Sequence, residues 1–178
     1  MMAWSTLGPF LALDNALAAL ALAPLCPSAG RFWLLTAWFV GVEAAAPIAG
    51  ALLGGVLTAV APAAVISSAL LMTLGLAMLV LVLARRIPIA GFRVDWDPAR
   101  LVGSGRSIAG LALVLGVDNL VGGAAFSVPV AAACGSASAV SALMACLLGR
   151  WGGARLPAKQ RIAASAVLLL AAGAMGFA

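Results

Sequence analysis

Six stretches of this chain are each apolar over enough residues to cross about 30 Å of hydrocarbon. That restricts the fold to an all-α integral membrane protein. The stretches run at about 4–23, 32–57, 63–84, 107–126, 130–148 and 162–177. The breaks have physical causes. Pro24, Pro27, Ser28 and Gly30 end the first span, Ala61-Pro62 separates the second from the third, and Ser127-Val128-Pro129 makes a tight turn between the fourth and fifth. Only 8% of the side chains are charged and 65% are hydrophobic. Soluble domains carry about 25% charged residues, so this sequence cannot build a water-facing surface. One membrane domain is expected, with a first three-helix repeat at 1–84, a cytoplasmic linker at 85–106 and a second three-helix repeat at 107–178.

The net charge is +5, yet the basic residues point to orientation in a membrane rather than to nucleic acid. Arg31 falls between spans one and two. Arg85, Arg86, Arg93, Arg100 and Arg106 fall between three and four, and Arg150, Arg155, Lys159 and Arg161 between five and six. Six spans alternate sides, so every positive charge lies on one side. The positive-inside rule makes that side cytoplasmic, with both termini on the non-cytoplasmic side of a multi-pass membrane protein. Ala21-Leu22-Ala23 loosely resembles a signal-peptidase site, but no Lys or Arg precedes it and Asp14 interrupts the apolar run. The first segment therefore reads as a retained span. Asp95 and Asp97 in the linker sit among arginines that neutralise them, so no site is assigned there.

Within this apolar background lie three acids, Asp14, Glu43 and Asp118, each inside a span. An ionised acid at the bilayer centre costs roughly 2.5–3.5 kcal/mol on insertion scales. Such residues face the bundle interior and by default mark an ion or proton pathway. Nothing basic inside the spans can pair with these three. Asp14-Asn15 and Asp118-Asn119 also share a local sequence, one pair in each half. Aligning residues 10–22 with 114–126 superposes Leu11, Asp14, Asn15 and Ala21 on Leu115, Asp118, Asn119 and Ala125. Each half has an odd number of spans, so the halves cross in opposite senses. A three-plus-three inverted repeat would place both Asp-Asn pairs near the midplane.

The second span adds Gly41-Val42-Glu43-Ala44-Ala45-Ala46-Pro47-Ile48-Ala49-Gly50. Pro47 cannot donate to the carbonyl of Glu43, so that position can offer a side-chain and a backbone oxygen. Thr36 and Gly50 lie two turns either side on the same face. In the fourth span Gly116, Gly122 and Gly123 flank Asp118, and small residues there allow helices to approach closely. The metal-site residues expected are Asp14, Asn15, Glu43, Asp118 and Asn119, with Thr36, Pro47, Gly50 and Gly122 in supporting positions along the pathway. Carboxylate, amide, hydroxyl and carbonyl oxygens are hard ligands that suit Mg, Ca or Mn. There is no histidine, and Cys26, Cys134 and Cys146 have no metal-ligand spacing; they read as small apolar packing residues without a disulfide. Met72, Met78, Met144 and Met175 read as lipid-facing or packing residues. A divalent cation offsets two carboxylates and a proton the third, which gives an exchange scheme: metal enters from the cytoplasm as protons leave.

At these residues the chain resembles the bacterial manganese efflux pump family, within the lysine exporter superfamily. The resemblance rests on Leu11-Ala12-Leu13-Asp14 and Gly116-Val117-Asp118, each followed by small residues. It rests also on Gly41-x-Glu43-x-x-x-Pro47-x-x-Gly50, the six-span layout and Gly149-Arg150. It implies export of Mn(II) across the bacterial inner membrane, with ion-pathway roles for Asp14, Glu43 and Asp118. The chain departs from the family at Asn15 and Asn119, where Ala is usual; the Asp-Asn pair is similar to that of tellurium-resistance-type membrane proteins and related cation exporters. The expected function is export of divalent cations, Mn(II) first, with proton exchange. The alternatives are another cation such as Cd or Ca, or a small organic solute such as an amino acid. An amino acid calls for an anion-binding Arg or an unwound helix N-terminus at the midplane, and no Arg lies there. An enzyme is not expected, because the chain has no His, paired Asp-rich motif or Ser/base arrangement. A purely structural membrane protein leaves the buried acids without purpose. The expected partners are the transported divalent metal ion and the lipid bilayer, with no cofactor and no nucleic acid; a homo-oligomer is compatible with this composition.

Overall fold

The structure is a computed structural model that describes residues 13–53, 63–84 and 98–175. Every regular element among the described residues is helical. Helix α1 (Leu13–Leu22) runs into a 3-10 turn at Ala23–Leu25, and α2 (Ala29–Leu53) and α3 (Ala63–Ala84) follow. A second 3-10 turn (Pro98–Val102) leads to α4 (Gly105–Leu115), α5 (Val117–Gly123), α6 (Val128–Gly153) and α7 (Ala158–Met175). Among the described residues three segments are long and apolar enough to cross a membrane: α2, α4 with α5, and α6. Shorter apolar helices cover 15–25 and 69–80. Residues 85–97, which include Asp95 and Asp97, lie outside the described residues.

Polarity is distributed inside-out. Asn15, Thr36, Glu43, Asp118, Asn119, Ser138 and Ser165 are buried, whereas Trp33, Leu52, Leu76, Val140, Met144, Leu148 and Val167 face outward. A bundle surrounded by lipid has that distribution, because its surroundings are as apolar as its side chains. Met72 also faces outward and Met78 is in the core. Cys26 and Cys146 are buried, Cys134 is half-buried, and all three are free thiols.

Helix α2 packs along α6, and α3 along α7. Helix α1 packs on both α6 and α7, while α4 and α5 pack on α2, with α5 also touching α3. Glycines set the closest approaches. A Cβ at Gly135 of α6 would lie 2.6 Å from the Ala44 carbonyl oxygen of α2, and one at Gly75 of α3 would lie 2.8 Å from the Leu170 amide nitrogen of α7. Gly149 and Gly153 meet the backbone of Leu20 and the ring of Pro24 in the same way. These contacts explain why α6 continues past the expected limit at residue 148: its last turn is held against the first span. At the other end Val128-Pro129 occupies the first turn of α6, where proline has no helical hydrogen bond to lose. Ser104 caps α4 by accepting from the Ser107 amide at 3.0 Å, so this helix starts before residue 107.

The charged ends gather together. The turn at Ala23–Leu25 touches the turn at Pro98–Val102. Arg31 Nη1 lies 3.7 Å from the Cβ position of Gly105. Arg150 Nη1 donates to the Cys26 carbonyl at 3.0 Å, and Arg161 Nη1 to the Pro24 carbonyl at 3.4 Å.

Candidate cation site

The expected continuous fourth span is broken. Gly116, with φ −82° and ψ −3°, ends α4 and starts α5. A ψ near zero turns the chain away from the helical value of about −42°. Gly116 sits there because Val42 of α2 occupies the space a Cβ would need. Two backbone groups find new partners beside the break. The Asn119 amide, whose partner in an unbroken helix is the Leu115 carbonyl, donates to Asp118 Oδ1 at 2.8 Å. The Leu115 carbonyl accepts Asn15 Nδ2 of α1 at 3.0 Å, a bond between residues 100 positions apart. Thus one asparagine of the first Asp-Asn pair binds the backbone that carries the second pair.

Glu43 is the centre of the cluster. It is 2% exposed. Its Oε2 accepts Asn119 Nδ2 at 2.7 Å and the hydroxyl of Ser138. Asn15 also hydrogen-bonds to this carboxylate, and Asp118 lies close enough to act on it as a like charge. Asn15, Asp118, Asn119 and Ser138 are themselves buried. Four of the five expected metal-site residues therefore converge: Asn15 and Glu43 from the first half, Asp118 and Asn119 from the second. The backbone of Asp14 lies in α1, one residue before Asn15; its side chain lies outside the described residues. Among the described residues no three His, Cys, Asp or Glu side chains cluster as metal ligands, and the cluster here holds two carboxylates.

Depth can be read from helix rise. Glu43 comes fourteen residues after Ala29, Asp118 thirteen after Gly105, and Ser138 fifteen before Gly153. At 1.5 Å per residue, each lies about 20–22 Å from the end where the arginines gather. Three helices that enter the bundle independently thus place their polar groups at one level.

The supporting positions divide. Gly50 is buried, with the Leu120 carbonyl of α5 where its Cβ would stand. Pro47 is buried against Gly123, whose Cβ would lie 2.6 Å from Pro47 Cα. Gly122 is half-buried, and Gly123 makes the close approach. The Glu43 carbonyl that Pro47 leaves without a helical donor lies against Gly135, 3.3 Å from its Cβ position. Thr36 is buried, but its hydroxyl bonds to the Phe32 carbonyl at 2.9 Å and to the Cys146 thiol. It stands about 10 Å along α2 from Glu43, on the path toward the charged end rather than in the cluster.

Comparisons with protein-family models, curated proteins and solved structures find no match to this chain. Sequence reading missed Ser138 and Gly135. The available signal was the small-residue stripe Gly135, Ser138, Ala142, Cys146 and Gly149 at helical spacing, which marks the face that α6 turns inward.

Proposed function

We propose that the chain is a transporter that exports divalent cations, Mn(II) first, across the bacterial inner membrane in exchange for protons. The observation that carries this reading is the buried cluster of Glu43 and Asp118 with Asn15, Asn119 and Ser138, drawn from both halves of an otherwise apolar bundle. Two acids of like charge are costly together in low dielectric, and a cation or protons between them removes the cost. The donors are oxygens of carboxylate, amide and hydroxyl, a hard set that suits Mn, Mg or Ca. The choice of Mn(II) among these rests on the sequence resemblance.

Two further features support the reading. Exchanging the halves (α1 with α4–α5, α2 with α6, α3 with α7) leaves the packing pattern unchanged. That is the behaviour expected of a three-plus-three inverted repeat with a site on its pseudo-two-fold axis. The gathering of Arg31, Arg150 and Arg161 at one end supports a cytoplasmic assignment for that end and non-cytoplasmic termini.

The test is growth and metal content of an exporter-deficient strain expressing the chain and challenged separately with Mn, Ca, Cd, Mg and Fe. Protection and lowered cell metal are expected, lost in Glu43→Ala and Asp118→Ala at equal membrane abundance. Full protection by the double variant would end the transport assignment. Proton exchange is tested by metal uptake into proteoliposomes; uptake indifferent to an imposed pH gradient would remove it.

A further inference from the structure

A second polar feature lies about 20 Å from the cation cluster, at the end of the bundle where the basic residues gather. A cavity of about 490 Å³ opens between the turn that follows α1 and the junction of α6 with α7. Its polar lining is dominated by Arg150 and Arg161, with Pro24, Cys26, Ala154 and Ala158 around them, and among the described residues none that lines it is acidic. Both guanidinium groups are held in place. Arg150 bonds the Cys26 carbonyl and lies 5.5 Å from the Phe32 ring centroid, and Arg161 bonds the Pro24 carbonyl. Each of these bonds uses one of five N–H donors on a guanidinium. Both side chains line the one cavity, and each guanidinium keeps further donors beyond its bond to the backbone. Burial pushes the Cys26 thiol up to about 11, against the opposing pull of Arg150. The thiol is thus neutral at physiological pH and does not offset the positive charge.

Two arginines lining one cavity, with no acid among its described lining residues, repel a cation, so this cavity does not extend the cation site. Fixed guanidinium forks match the paired oxygens of a phosphate group. The surroundings suit a membrane headgroup as well as a dissolved ion. Trp151, the residue after Arg150, is 61% exposed, and Arg155 stacks on its ring at 3.4 Å from the centroid. Exposed tryptophan and arginine at a span end are interfacial anchors.

We propose that the cavity between the Pro24–Pro27 turn and the α6–α7 junction binds a phosphate-bearing anion, a phosphodiester or phosphomonoester, through Arg150 and Arg161. An occupant there bridges the first half of the chain to the second.

The experiment titrates the purified full chain in non-ionic detergent with inorganic phosphate, with short-chain phosphatidylglycerol and with phosphatidylcholine of equal chain length, read by calorimetry. Saturable binding of phosphate or phosphatidylglycerol is expected, weakened about tenfold or more by Arg161→Gln. Ala158→Glu, which keeps both arginines and places a carboxylate at the exposed cavity rim, should weaken it similarly. Arg155→Gln should leave it unchanged. Phosphatidylglycerol binding without phosphate binding assigns a lipid headgroup; binding of both assigns a site open to dissolved phosphate. Binding of neither, phosphatidylcholine binding as tightly as phosphatidylglycerol, or an affinity unmoved by both Arg161→Gln and Ala158→Glu would overturn the proposal. None of these readouts depends on metal transport.

Discussion

Substitution of Glu43 by Ala and by Gln separates the structural role of this side chain from its charge. In Glu43→Ala the Asn119 amide and the Ser138 hydroxyl lose their acceptor inside the bundle. A buried donor left without a partner costs about 1–3 kcal/mol, so the pair costs about 2–6 kcal/mol. For a chain of this size 1 kcal/mol corresponds to about 2–4 °C, which places the fall in thermal midpoint at about 4 °C or more. Glu43→Gln keeps an acceptor oxygen for both donors and removes the like charge facing Asp118. Its midpoint should stay within about 2 °C of the parent. A cation at about 100-fold its Kd adds about 2.7 kcal/mol to the parent, and neither variant should show that rise. The assay is tryptophan-fluorescence unfolding of purified protein in detergent, with and without Mn(II). Equal midpoints for the Ala and Gln variants would refute the hydrogen-bond assignment. An undiminished Mn(II) response in the Gln variant would refute the role given to the charge.

Other outcomes follow from the packing. Gly123→Ala should destabilise by about 1–3 kcal/mol because its Cβ meets the Pro47 backbone. Gly41→Ala, with nothing within 4 Å of its Cβ position, should be neutral or stabilising by up to about 1 kcal/mol; the same unfolding assay checks both. Asn15→Leu should cost about 1–3 kcal/mol by leaving the Leu115 carbonyl without its side-chain donor, and equal stability to the parent would show that this bond contributes nothing. Because the Cys26 thiol is raised to about 11, only about one in a thousand is ionised at pH 8; in a Cys134→Ala, Cys146→Ala background its maleimide labelling should climb steadily from pH 8 to 10.

The sequence carried the acids and both asparagines because each is conspicuous in an apolar span. It carried the end of the first helix at Pro24, but not the start of α4, which the capping Ser104 sets before residue 107, nor that of α6, whose first turn takes in Val128-Pro129. It was silent on the break at Gly116, since a glycine inside an apolar run reads equally as a packing position. Ser138 was hidden for a related reason. Ser136 and Ser141 on the same helix bond to their own carbonyls at Ala132 and Ala137, a choice open to any helical serine. Only the position of Glu43 across the interface turns Ser138 to a different acceptor. Gly41 and Gly50 show the same ambiguity within one motif: the first meets open space and the second meets the Leu120 carbonyl.

The long-range bonds at the cluster also bear on how the chain is made. Asn15 emerges from the ribosome a hundred residues before Leu115, and Glu43 precedes Asn119 and Ser138 by 76 and 95 residues. During that interval the early spans hold polar groups whose eventual companions have not been synthesised. A fragment stopping near residue 84 would keep them in that condition permanently. The opening half is thus an unfinished object awaiting its counterpart, and cellular quality control should clear it when it is produced by itself.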